Sequence, residues 1–394
     1  MKHTRQAGWI LLMIGLILPF AALAQDQTAV VATTAADFSS GAHAVVSVDP
    51  VGGPRTVQSN LSPTISDVGV DAYGSHFYRM ERYGANNVTK FSIDAPSTII
   101  WQYSTEGDDS NSNPYDMVFV SETKAYLLRY GTDTAWIVNP SAATEAEFKT
   151  GELDLSAYAD ADGIPEMHSG IIVDGRLYIV FQRLDENDLW APKNTTLVGV
   201  FDTVDDTEIT QITVPVENPI AIQYLAETDT IYVAGVGDFG YNYFGGIAAV
   251  DVSDESYPVT EIIDGETYGG IVGMIIVSAA KGYFIGYGTW QNNTLYSFNP
   301  SAQTPAPTIV SGFESMSIAG MQSGVYLDQN NMLWLCNQTD GQVDILNTST
   351  DTVDESVDTE LNPQAVVFVG GSQGTTSGGD DGSSSSGCFL NTCR

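Results

Sequence analysis

Short runs of alternating apolar and polar residues, broken every few positions by Gly, Asn and Asp, fill the chain from about residue 28 to 370. A unit made of such runs returns along it at roughly 50-residue intervals, close to the 40–50 residues usual for a four-stranded blade. Convincing helical periodicity is absent, and the runs are rich in Val, Ile, Tyr and Phe. Together these observations predict an all-β protein closed into a ring, a seven-bladed β-propeller. A six-bladed ring with the N-terminal segment packed outside it is the alternative.

The first residues read as an export signal. Lys2 and Arg5 give a positive start, Trp9 to Leu23 is apolar, and Ala22-Leu23-Ala24 has the small-x-small pattern of a cleavage site, so residues 1–24 are expected to be removed. The apolar run is short of the roughly 20 residues a membrane span needs, and Pro19 interrupts it. Gln25 rather than Cys follows, which argues against an N-terminal lipid anchor. An exported chain is expected: periplasmic, extracellular or attached to the cell surface, with no transmembrane segment after signal removal.

Residues 25–371 are read as one propeller domain. AHAVVSVDP (42–50) and RTVQSN (55–60) give strands with no innermost partner, whereas NPQAVVFVGG (362–371) is an innermost strand with nothing after it. Joining the two ends completes a seventh blade, and closure matters because an open stack leaves two unpaired edges. The clearest internal unit is PYDMVFVSETKAYLLRYGTDTAWIVNP (114–140). Alternation places strands at Met117–Val120, Ala125–Tyr130 and Ala135–Val138, with turns at 121–123 and 131–133. Similar units occupy 66–94, 169–203, 221–253, 273–301 and 324–349. Residues 372–394 change to a Gly/Ser/Asp run too polar to bury anything, a flexible tether that ends in a Cys pair.

The charge is lopsided: 49 acidic against 14 basic residues, net −35. Such a surface repels nucleic acid and anionic lipid, which makes both poor partners, and no nucleic-acid partner is expected. Cysteine is scarce, so the body does not depend on disulfides. Cys336, in MLWLC, reads as a small buried apolar residue, and Cys388 with Cys393 has the spacing for a short loop in an oxidising compartment.

On the unit PYDMVFVSETKAYLLRYG, and on LDLSAYADADGIPEM (153–167) leading into GRLYIVFQRLD (175–185), the chain resembles bacterial extracytoplasmic β-propellers of the YVTN and NHL-like kind, over about residues 40–370. The resemblance implies the fold and implies little about function, because such propellers serve unrelated roles. The tail looks like the Gly/Ser-rich, Cys-bearing C-termini of some exported bacterial proteins.

Three groups of residues are candidates for a site. Asp160, Asp162 and Glu166 in YADADGIPE, and Asp109, Asn111 and Asn113 in EGDDSNSNPYD, offer the hard oxygens calcium takes from a tight loop, which makes calcium the candidate cofactor. Neither loop has the full EF-hand spacing, and ordinary turn formation by Asp, Asn and Gly is the competing reading. Arg82, Arg129 and Arg183 read as the corresponding end of the second strand in successive units. There they either form a rim for an anionic group or pair with acids such as Glu81, Asp133 or Asp185. Tyr241 and Tyr243 in GDFGYNYFGG, and Trp290 in GYGTWQNN, sit in inter-strand loops, where aromatic residues either stack on a ligand or pack one blade against the next.

Catalytic signatures are sparse. His43, His76 and His168 fall at unrelated repeat positions, and no HExxH, CxxCH or GxSxG is present, although His168 lies close to Glu166. The reading is a binding or cell-surface interaction module whose partner is a protein, a glycan or a small anionic ligand. The alternative is a propeller enzyme, lactonase-like or quinoprotein-like, with a calcium-supported site at the channel mouth. An enzyme gathers acids, amides and a His from several blades around that mouth, whereas a binding module shows aromatic or charged loops on an outer rim.

Overall fold

The computed structural model describes residues 26–192, 195–238, 245–289, 292–317 and 324–370. The expected signal segment, the tail with Cys388 and Cys393, and Tyr241, Tyr243 and Trp290 lie outside the described residues. Among the described residues no helix is long and apolar enough to cross a membrane.

The chain forms seven four-stranded antiparallel sheets, the blades of a propeller. In blade 1 the strands run in sequence order from the axis outward: Val68–Tyr73, His76–Glu81, Asn87–Ser92 and Ile99–Ser104. The innermost strands of the next five blades are Pro114–Ser121, Met167–Val173, Pro219–Leu225, Gly270–Ser278 and Val325–Leu327. Blade 7 is composite. Its innermost strand, Asn362–Val369, pairs with Thr28–Thr34 from the other end of the chain, and Gly41–Ser47 and Val57–Thr64 follow outward. The closure expected from the two unmatched ends is therefore the one observed, and seven blades replace the six-bladed alternative.

The three strands expected in the 114–140 unit are found at Pro114–Ser121, Lys124–Arg129 and Thr134–Val138. The fourth, Lys149–Asp154, escapes the alternation pattern because it is the outermost strand and mostly exposed, so its sequence KTGELD has little apolar periodicity. In blade 5 the outermost strand shrinks to Thr308–Ile309.

Packing between blades follows one repeat position. The third residue of the second strand is Tyr78, Tyr126, Tyr178, Tyr232, Tyr283 and Trp334 in blades 1 to 6, and all six are buried. Each contributes roughly 1.5–3 kcal/mol through burial. Several also latch neighbouring blades at their lower face. Asp206 of blade 3 accepts from the Tyr126 hydroxyl and pairs with Lys124 at 2.7 Å. Asp351 of blade 6 does the same for Tyr283 and for Lys281, also at 2.7 Å. Closer to the axis, buried side chains clasp the next innermost strand. The Met117 amide donates to Asp71, the Gly170 amide to Asp116 and the Ile276 amide to Gln223.

Candidate functional site at the upper mouth of the ring

All innermost strands start on one face, called upper here. The loops from the fourth strand of one blade to the first of the next open there, as do the loops from second to third strands. The residue just before the innermost strand has a left-handed backbone in blades 2 to 6: Asn113 (φ 48°), Glu166 (φ 47°), Asn218 (φ 51°), Gly269 (φ 79°) and Gly324 (φ 68°). The position requires it, since the carbonyl must turn to accept the amide at the end of the second strand. Tyr130, Gln182, Val236 and Cys336 donate to Asn113, Glu166, Asn218 and Gly324 at 2.9–3.1 Å. At Gly269 a Cβ would also lie 2.1 Å from the Tyr287 carbonyl oxygen. Asn and Gly tolerate this conformation; Glu166 is the exception.

Glu166 is fully buried. Its Oε2 accepts from the Leu184 amide at 2.9 Å, while its Oε1 has no hydrogen-bond partner. Burial, reinforced by the charges of Asp162, Asp160 and Glu186, pushes its pKa up to about 9, so it is a neutral acid at pH 7.

In blades 2, 3 and 4 the second residue of the innermost strand is a β-bulge, left out of the ladder and re-aimed: Tyr115, His168 and Ile220. Blade 4 places a buried aliphatic residue at this position, and blades 2 and 3 place polar aromatic ones whose rings lie 4.7 Å apart. Around them a continuous belt crosses four blades. From blade 1, the Arg82 guanidinium lies 4.4 Å over the Tyr115 ring and is held by Asp67, which accepts from Nε at 2.8 Å. From blade 2, Tyr130 packs 4.8 Å from Tyr115, and its hydroxyl donates to Gln182 of blade 3 at 2.6 Å. Gln182 in turn donates to the Pro219 carbonyl of blade 4 at 3.1 Å.

The three arginines share the upper face but not one repeat position, which corrects the register expected from the sequence. Pairing across the first two strands aligns Arg129 with Glu81 and Phe181. Arg82 corresponds instead to Tyr130 and Gln182, and Arg183 to Gly131, one residue further on. Counting from similar-looking RYG and QRL segments slips because the arginines follow the buried third residue of the second strand by different steps: Arg82 lies four after Tyr78, Arg129 three after Tyr126 and Arg183 five after Tyr178.

The partners also differ from those expected. Arg129 is fully buried and donates to the Thr105 and Glu106 carbonyls at 2.9 Å and to Asp109 at 2.7 Å, with Trp136 4.4 Å beneath its guanidinium. Arg183 donates to the Tyr158 and Thr195 carbonyls at 3.0 Å. Arg82 and Arg129 are thus internally paired, with Asp67 and Asp109 rather than Glu81 and Asp133.

The candidate carboxylates of the two acidic loops are engaged within the protein, Asp109 by Arg129 and the others by backbone amides. Asp162 accepts from Ile164 and Glu186 at 2.9 Å, and Asp160 accepts from Asp162 at 3.1 Å. In the other loop, the Asn111 amide donates to Glu106 and the Asn113 amide to Asn86, while the Asn113 Oδ1 is buried without a partner. Among the described residues no group of three His, Cys, Asp or Glu side chains converges to hold a metal ion.

Sequence reasoning did not single out Tyr115, Tyr130 and Gln182. A signal existed. Aligned on the inner strands, polar aromatic residues stand at 115 and 168 where the next blade has Ile220, and a glutamate stands where other blades have Asn or Gly.

No family model matches the chain, and no curated protein matches it. Solved structures do. A proposed 6-phosphogluconolactonase from Bacteroides uniformis has a TM-score of 0.61 at 11% identity, covering 87% of this chain and 99% of that one. A proposed 6-phosphogluconolactonase from Bacteroides fragilis gives 0.60 at 12% identity, covering 87% and 98%. A protein from Lactobacillus plantarum gives 0.61 at 15% identity, covering 87% and 99%. At these identities the likeness establishes the fold: the chain is a seven-bladed β-propeller protein.

Proposed function

We propose that this protein is a binding module whose upper mouth, across blades 1 to 4, takes a neutral, hydroxyl-rich ligand of the glycan class. The observation that carries the reading is the placement of Tyr115, half-buried, at a bulge on an inner strand, backed by buried His168 at the bulge of the adjacent one and by a belt of buried hydrogen-bonding side chains that fixes both. Aromatic faces ringed by placed polar groups are what a sugar needs, apolar C–H surface on one side and hydroxyl partners around it. Tyr83, 69% exposed beside Arg82, adds an aromatic at the rim.

Electrostatics selects among the candidate ligands. Arg82 and Arg129 are committed to Asp67 and Asp109, and Asp160, Asp162 and Glu186 add negative charge. An anionic ligand would meet surplus carboxylates, whereas a neutral one pays no such cost. Calorimetric titration with cello-, malto- and N-acetylchito-oligosaccharides tests the reading, and heat that disappears in Tyr115→Ala supports it. Uronic-acid oligomers binding in place of neutral ones would refute it.

A second reading is a hydrolase acting on a small ester or lactone. It is favoured by the gathering at the mouth that marks an enzyme, the acid Glu166, the amide Gln182 and His168, with Glu166 a neutral acid. It stands second because Glu166 and Gln182 are fully buried and both ends of the Gln182 amide are engaged. Proton release from a lactone panel, lost in both Glu166→Gln and His168→Ala, would move the assignment to it.

A further inference from the structure

Between the second and third strands of blade 3 the chain makes a hairpin of its own, the one two-stranded sheet among the described residues, with Leu184 opposite Pro192 and Asp185 opposite Ala191. Its tip presents the two bulkiest apolar groups of the loop to solvent: Leu189 is 92% exposed and Trp190 48%. Both have left-handed backbones, φ 59° and 60°, at which glycine or asparagine would sit more easily. The hairpin is nonetheless fixed. The Trp190 amide donates to the Asp185 carbonyl at 3.0 Å, and the Asp185 side chain accepts from the Asn187 amide at 2.9 Å. Its base is bonded to the loop that enters the mouth. The Leu184 amide donates to Glu166, the Glu186 amide to Asp162, both at 2.9 Å, and Arg183 to the Tyr158 carbonyl.

A hydrogen-bonded arm joined to the mouth wall, with a large aromatic face turned out at a conformation unfavourable for that residue, has the form of a binding element. We propose that this hairpin is a second subsite for the ligand of the mouth, with Trp190 as the stacking platform for the next sugar of a neutral oligosaccharide. The inference rests on the glycan reading above and names the ligand more closely: a chain of two or more units. Continuity selects this occupant over a protein, because the Leu184 amide at the base of the arm is bonded to Glu166, the residue just before the inner strand that carries His168. Exposed Glu186 beside the tip offers an acceptor for sugar hydroxyls and repels polyanions.

Titration of the full chain with cello-, malto- and N-acetylchito-oligosaccharides of one to six units tests it. In the unmodified protein, affinity is expected to rise about tenfold or more from one unit to several, equal to about 1.4 kcal/mol. Trp190→Ala is expected to abolish that rise while binding the monosaccharide as before, and Trp190→Phe to restore most of it. Circular dichroism of Trp190→Ala, unchanged, excludes misfolding; if the fold is perturbed, Leu189→Ser and Trp190→His replace it. A chain-length gain that survives in Trp190→Ala, or no gain in the unmodified protein, overturns the second subsite and leaves the mouth reading standing. Absence of binding to every member of the three series overturns both.

Discussion

Glu166 is the residue with the most to say about pH. The folded state holds its proton up to about pH 9, whereas an unfolded glutamate releases it near 4.5. Because the folded pKa is the higher of the two, this group's contribution to stability is complete below about pH 4.5 and is lost as pH rises towards 9. Glu166→Gln removes that loss. It is expected to stabilise the protein by several kcal/mol at pH 8 and to change little at pH 4, read from urea unfolding at both pH values. Equal effects at the two would show that the carboxyl does not titrate as described.

Arg129 belongs to structure rather than recognition. Arg129→Met leaves the Thr105 and Glu106 carbonyls without their donor and is expected to cost about 3 kcal/mol in thermal or urea unfolding. Leu189→Gly goes the other way: relief of a left-handed backbone at a fully exposed side chain is expected to be neutral or to stabilise by about 1 kcal/mol. At this scale the sequence was only partly legible. The three arginines and the acidic loops were visible, but what the arginines touch is decided by the loops that lead into their own blades or connect strands within them, and the partners named above lie 12 to 25 positions away.

Among the elements, the second strand of each blade was the easiest to read and the outermost the hardest. KAYLLR and RLYIVF are buried on both faces and read as dense apolar runs, while KTGELD faces solvent and carries no such signal. The bulges at Tyr115 and His168 were invisible, because a bulge changes pairing without changing composition, and they are what puts the site together. The interblade latches make an element-scale expectation. Asp206→Ala removes the acceptor for both Tyr126 and Lys124, and should loosen the contact of blade 2 with blade 3. Hydrogen exchange is expected to speed up in the lower turns of those two blades and to stay unchanged in blades 5 and 6; uniform change would mean the latch has no local role.

For the molecule as a whole, ring closure was the most readable feature, since an innermost strand at one end and orphan strands at the other admit one economical pairing. It also sets the cooperativity. Deleting residues 26–65 removes three of the four strands of blade 7, exposes the Asn362–Val369 edge, and is expected to leave an aggregating chain. Calcium enters this account only as a test. Since Asp160 and Asp162 already accept from backbone amides and Asp109 pairs with Arg129, EDTA is expected to leave the melting temperature unchanged, and a fall of several degrees would identify calcium as a structural ligand.

The central claim is that the upper mouth around Tyr115 and His168 is the recognition site, and calorimetry with a neutral oligosaccharide series tests it most directly. Saturable binding by the unmodified protein, lost in Tyr115→Ala and in His168→Ala while both variants retain the parent melting temperature, is the expected result. Binding that persists in both folded variants, or neutral glycans that never bind, would contradict it.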